Sequence, residues 1–380
     1  MKNTLFFLLA LATFSAQATI RTVNNNPAGL AQFSDIQSAI DASASGDTIY
    51  VHGSISAYGG GTVTDKKLTI IGPGINPDKA TSWTARVHTI QFHNVNTSDC
   101  NGSCVMGIEF YAALNISHSG SGNTGVPVNG MKVIRNKFAD GSGVNLYTGN
   151  PYGSMHMYNL FVEGNYFEGG GVGAVDNSYF TNCTFINNVF ARSAAGPWYL
   201  SFISNMVLCT NVVFDHNLFY VSPTAVKTLF FSKAMNMTFK NNIFVNVDNV
   251  NTIYNGQNVL NNTFQNNLTY NCVNNSIWTF ANNVDLGGNI SNQNPQMGSQ
   301  AAVDAGTANP LLDFSIASGP ANNAGTDGKD LGVLFDETST MNWLYGRNSR
   351  LPYVHTMNVL NSSVPAGGTL NVQINARKAK

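Results

Sequence analysis

The sequence predicts an all-β chain coiled as a right-handed parallel β-helix, a solenoid, with a short N-terminal capping helix and a C-terminal β-hairpin. Three observations carry this expectation. One short frame recurs through the middle of the 380-residue chain. Its copies are β-branched and aromatic, are separated by turn residues and lack helical spacing. Solubility rests on Asn, Ser, Thr and Gly, because charged residues make up only 10% of the chain, against about 25% in ordinary domains.

The clearest copy of the frame is VVFDHNLFY, Val212 to Tyr220. The others are MKVIRNKF, LFVEGNYF, CTFINNVF, MTFKNNIF, NTFQNNLT and a degenerate WTFANNVD. They align on Asn136, Asn165, Asn188, Asn217, Asn242, Asn267 and Asn283, at steps of 29, 23, 29, 25, 25 and 16. Three residues before the Asn stand Val133, Val162, Phe185, Phe214, Phe239, Phe264 and Phe280; two after it stand Phe138, Phe167, Phe190, Phe219 and Phe244, then Thr269 and Asp285. A strand-turn-strand repeat of this length suits one solenoid coil. Coils stack about 4.8 Å apart, so Phe on Phe makes an interior stack and Asn on Asn an amide ladder. Turn-filling Asn would scatter; a fixed offset to Phe does not. About 300 residues at roughly 25 per coil give about a dozen coils.

From its start, the chain reads as follows. Residues 1–18 have the form of a secretory signal: Lys2, an apolar run from Leu5 to Phe14, and Ala16-Gln17-Ala18 as cleavage site. That run is too short to span a bilayer, and no later stretch reaches eighteen apolar residues, so no transmembrane segment is expected. The expected location is outside the cytoplasm: secreted, periplasmic or on the cell surface. A net charge of −1 argues against a nucleic-acid partner, which needs a basic surface. Export permits disulfides, and Cys100 and Cys104, bracketing a short loop, are the favoured pair; Cys183 falls at an inward frame position. Residues 33–47 predict the capping helix, with Ser34 and Gln37 as a capping box and an apolar stripe of Ile36, Ala39 and Ile40. It would cover the open first coil. The solenoid is expected over 19–336, and residues 337–380 as a hairpin segment built from runs at 355–360 and 369–376, packed on the end of the solenoid.

The pattern from Phe33 to Val51, followed by Leu68 to Gly74, resembles the N-terminal cap and first coils of the pectin-lyase-like right-handed β-helix proteins, and the Asn-x-Phe coils are similar to their body. Ala324 to Gly332 resembles the closing coil of bacterial members. The resemblance covers about residues 30–335. It implies an exported protein that binds, and by β-elimination cleaves, an extracellular polysaccharide.

Interiors of such solenoids are filled, so chemistry sits on outward positions. Two residues before the frame Asn come Glu163, Asp215 and Lys240; His216 and Arg135 share the next offset. Asp215 and Lys240 should lie one coil apart and Glu163 two coils from Asp215. A uronate lyase of this superfamily uses a cation, often Ca²⁺, and a Lys or Arg base. Lys240, Asp215, His216 and Arg135 are therefore the candidate catalytic residues, and Glu163 with Asp215 the candidate metal ligands. Asp215-His216 resembles the Trp-Ile-Asp-His stretch of pectate lyases, but their Arg-rich motif has no counterpart, and the polygalacturonase motifs are absent. Trp198 and Tyr199 are candidates for stacking on sugar rings. Two alternatives stay open: an ordinary exposed Asp215–Lys240 ion pair, and a non-catalytic surface, adhesion or structural rod.

Overall fold

The computed structural model describes residues 18–27, 29–74, 83–95, 99–118, 127–139, 143–146, 156–193, 202–224, 229–249, 259–334, 352–359, 367–369 and 371–378. The chain winds into a parallel β-solenoid. One sheet has eleven strands in chain order, from Ile20–Val23 to Val284–Asp285, each beside the strand one coil earlier. A second sheet of sixteen strands carries the other sides of the coils.

The frame sets the register. Val105, Val133, Val162, Phe185, Phe214, Phe239 and Phe264 are successive partners in the first sheet. All are fully buried, and their neighbours on either side face out, as strand alternation requires. From Phe185 to Phe264 the rings stack with centroids 4.4–5.2 Å apart. In the second sheet Phe110, Phe138, Phe167, Phe190, Phe219 and Phe244 stack at 4.6–5.2 Å. Each buried Phe contributes up to about 3 kcal/mol. Thr269 takes the next place in this column and satisfies its hydroxyl on the Asn275 carbonyl at 2.8 Å.

Between the two sheets runs the Asn ladder. The Nδ2 of Asn136 donates to Asn165 Oδ1, and the same bond repeats from Asn165 to Asn188, Asn217, Asn242 and Asn267 at 3.0–3.1 Å. The second Nδ2 proton reaches back to a carbonyl of the preceding coil, as from Asn217 to Phe185 O at 2.9 Å. These amides are wholly buried, and bonding on both sides removes the desolvation cost of burying them. The residue before each ladder Asn has positive φ: Arg135, Gly164, Asn187, His216, Asn241 and Asn266. A second left-handed corner lies six residues before the ladder, at Gly130, Asn159, Asn182, Asn211, Asn236 and Asn261. Asn and Gly are the residues that tolerate that backbone.

The last rung differs from the sequence expectation. Asn267 donates to Asn289 Oδ1 at 3.0 Å, not to Asn283. Asn283 instead accepts from the Asn262 amide at 3.0 Å. A 3₁₀ turn, Ile277–Thr279, intervenes and buries Ile277 and Trp278 against the core, so residues 277–283 cover the C-terminal end before the last strand, Val284–Asp285, pairs with Thr263–Gln265. Asn289 ends the ladder by donating to Asp285 Oδ1 at 2.7 Å. At the other end the capping helix spans Ile36–Ala42 and buries Ile36, Ala39 and Ile40. Its N-cap is Asp35, which accepts from the Ser38 amide at 2.8 Å, not Ser34.

The stretch 324–332 does not close a coil. Residues 297–334 lie along the outside of the second sheet, over Tyr166–Glu168, Val189–Arg192, Leu218–Val221, Ile243–Val245 and Leu268–Tyr270. Met297, Val303, Phe314, Ile316, Leu331 and Val333 build a second hydrophobic cluster there with Tyr166, Val189, Leu218, Tyr220, Ile243 and Leu268. Further on, Pro352–Val359 and Val372–Lys378 pair antiparallel as the expected hairpin.

The Cys100–Cys104 disulfide is not formed; all five cysteines are free. Cys100 is buried, with its thiol toward the Val63 and His93 carbonyls. Cys104 flanks inward-facing Val105 in the strand Cys104–Met106 and so faces outward, and the two sulfurs lie on opposite sides of the coil wall. Cys183 is buried as expected; burial pushes its thiol up to about 11 and that of Cys209 up to about 12. Among the described residues no helix is long and apolar enough to cross a membrane.

Candidate functional site

The outward row of the first sheet places the predicted charges as the frame requires. Ile134, Glu163, Ile186, Asp215, Lys240 and Gln265 are successive register partners. Glu163 and Asp215 are two coils apart with Ile186 between them, and Lys240 is next to Asp215.

The chemistry around Asp215 is that of a closed network. Lys240 Nζ lies 3.0 Å from Asp215 Oδ2, and Asn241 Nδ2 donates to Asp215 Oδ1 at 2.8 Å. Asn241 also donates to Thr326 Oγ1 at 3.0 Å and accepts from the Thr326 amide at 2.8 Å. His216 is only 2% exposed. Its Nδ1 lies 3.2 Å from the Gly332 carbonyl, and its Nε2 is 3.4 Å from Asp327 Oδ2 and 3.8 Å from Asp215 Oδ1. Burial works to raise the Asp327 carboxyl, but the Lys329 amide and the His216 and Lys329 charges hold it below its ordinary value. Asp215, His216 and Asn241 therefore fasten the 324–332 loop to the solenoid corner. The Asp215–Lys240 pair itself, partly exposed, contributes about 0.2–1 kcal/mol.

Arg135 sits at the left-handed corner before Asn136. Burial lowers its pKa and raises that of Glu163, and attraction between the two opposes both shifts. The two groups are half-buried and attract one another electrostatically, with Glu163 three coils from Lys240. As a calcium site, Glu163 and Asp215 are a poor fit. Ca²⁺ takes six to eight oxygens; both Asp215 oxygens already hold a cation or an amide, and among the described residues no group of three or more His, Cys, Asp or Glu side chains is arranged to hold a metal ion. Trp198 and Tyr199, and the signal segment up to residue 17, lie outside the described residues.

A feature absent from the sequence analysis stands on another side of the coils. His156, Tyr179 and Leu208 are register partners on the strands His156–Tyr158, Val172–Thr181 and Ile203–Thr210. Tyr179 is 39% and Leu208 36% exposed. The His156 and Tyr179 rings are 4.5 Å apart at 31°, and His156 Nδ1 lies 3.2 Å from the Tyr158 hydroxyl. This is an outward ledge of rings flanked by Thr181 and Thr210, which follow Tyr158 in the adjacent register row. Its sequence signal is His156 and Tyr158 at alternate positions in HMY, and Tyr179 beside inward-facing Phe180 in SYF, outside the Asn-centred frame. No family model matches the chain, and the search of curated proteins finds no relative.

Proposed function

We propose that the protein is an exported, non-catalytic polysaccharide-binding rod of the pectin-lyase-like kind, which holds an extracellular glycan along the His156–Tyr158–Tyr179–Leu208 ledge. The exposed, register-aligned rings carry this reading. Flat apolar surfaces with polar edges stack on sugar rings while their hydroxyl and imidazole groups meet sugar hydroxyls. Binding is favoured over cleavage because the charges a lyase would use are engaged elsewhere: Asp215 by Lys240 and Asn241, and His216 beneath the 324–332 loop. The test is affinity electrophoresis and calorimetry against polygalacturonate, alginate, chondroitin and neutral glucans, with absorbance near 235 nm followed in parallel. Binding that Tyr179→Ala weakens about five- to tenfold, the loss of one stacking contact of about 1–1.5 kcal/mol, with no rise in absorbance, supports the rod. A rise abolished by Lys240→Ala or Asp215→Ala would replace it with a uronate lyase. No binding to any polymer would discard the ledge.

A further inference from the structure

The antiparallel hairpin Pro352–Val359 with Val372–Lys378 is two strands alone, and such a hairpin is marginal in water without a surface to pack on. Its sequence alternates. Val372 and Ile374 alternate with Gln373 and Asn375 along the second strand, so the two apolar residues share one face. Val372 is 39% and Ile374 56% exposed. An apolar face of this kind needs a partner.

The first sheet offers one. Its outward row runs Tyr50, Ile71, Met106, Ile134, Glu163, Ile186 in continuous register. All six are half-buried, and five are apolar. The chain arrives beside this row: the Leu334 amide donates to Asn187 Oδ1 at 2.6 Å, one residue from Ile186. Seventeen residues, 335–351, separate that point from Pro352. Extended, they reach roughly 55–60 Å, and the row from Ile186 to Tyr50 spans only about 24 Å at one coil per step. Charge agrees. Residues 338–380 contain five cations, Arg347, Arg350, Arg377, Lys378 and Lys380, and no Asp or Glu; residues 19–337 contain 20 carboxylates and 13 Lys or Arg. Glu163 sets a carboxylate within the row where the basic hairpin strand would meet it.

We propose that the C-terminal hairpin folds back on its own solenoid and lays the Val372–Ile374 face on the Ile71–Met106–Ile134–Ile186 row. This surface is separate from the glycan ledge. Hydrogen exchange on the full chain tests it, reading the amides of 352–359 and 372–378. The expected result is slow exchange in both strands, independent of protein concentration and accelerated about tenfold or more by Ile374→Asp. Ile134→Lys, which gains Glu163 as a neighbour and is therefore tolerated, should produce the same release from the other side. Circular dichroism would establish that the solenoid is intact in each variant. Exchange at the unprotected rate in the unaltered chain overturns the proposal, as does protection that survives Ile134→Lys. Protection lost on dilution would assign the face to a second copy instead. Protection seen only with added polygalacturonate would assign it to the polyanion. Either result overturns docking within one chain.

Discussion

The strand row that follows the Asn ladder has one interior and two exteriors. Inside, Phe110 to Phe244 stack without a break. Outside, the early coils present Glu109 and Lys137, with Lys137 Nζ 3.6 Å from Glu109 and 3.5 Å from Glu168. From the next coil onward the same outward position is Tyr166, Val189, Leu218, Ile243 and Leu268, all buried under residues 297–334. One position per coil, just after the Asn, decides whether a wall faces water or becomes a second core. The covered coils accordingly read as unbroken apolar runs, Leu218–Val221 and Ile243–Val245, the pattern of strands buried on both faces.

Four substitutions test this contrast. Leu218→Lys puts an unpaired charge beneath the covering segment and should cost about 3–5 kcal/mol in urea unfolding; a cost below about 1 kcal/mol would mean that the segment is not seated. Asn217→Ala cuts the ladder where both exteriors share it. It leaves the Asn188 backbone and side-chain donors, which reach Asn217 Oδ1 at 2.9 and 3.0 Å, without an acceptor. The expected loss is about 2–4 kcal/mol, and a value near zero would reduce the ladder to a by-product of the turns. Asn241→Ala releases Thr326 and should cost about 1–2 kcal/mol, with faster proteolysis confined to 322–332. Lys137→Leu, at the half-buried equivalent of Leu218, removes the ion pairs to Glu109 and Glu168 and should cost no more than about 1 kcal/mol.

Acidity probes the same fastening. The Asp327 carboxyl is held below its ordinary value in the fold. Its contribution is complete above the ordinary carboxylate range and is lost as pH falls through the lowered value. The melting temperature of Asp327→Asn should therefore lie below that of the unaltered chain at neutral pH and converge with it as pH falls through and below the ordinary carboxylate range. A constant gap across that range would show that charge at Asp327 plays no part.

Much of this was legible in the residues. The offset between Asn and Phe located both aromatic stacks, six ladder rungs and the outward row that joins Asp215 to Lys240. The seventh rung was hidden because the Ile277–Thr279 turn breaks the spacing while leaving a frame-like WTFANN behind. The Cys100–Cys104 pairing was weighed by loop length alone; the alternation around Val105 already turned Cys104 away from Cys100. The covering segment was not legible, since residues 290–334 are turn-rich and their partners lie up to 147 positions away, as for Leu334 and Asn187. What could be read was its imprint, the apolar outward residues from Tyr166 to Leu268. The register of Glu163, Asp215 and Lys240 followed from the frame, whereas the burial of His216 and the engagement of Asp215 and His216 with the 324–332 loop follow from that unread segment.

The ladder also has a direction. Every side-chain amide gives its oxygen to the rung before and a proton to the rung after, so the small dipoles from Asn136 to Asn289 point the same way and polarise one another. At the first rung the exposed pole is an oxygen, taken up by the Ile108 amide at 3.0 Å. At the last rung it is an N–H, which falls on the carboxylate of Asp285. A buried column of neutral groups thus ends in an anion at its positive pole, as a helix N-terminus favours an aspartate. The solenoid therefore has an electrical polarity along its axis that its near-zero net charge conceals.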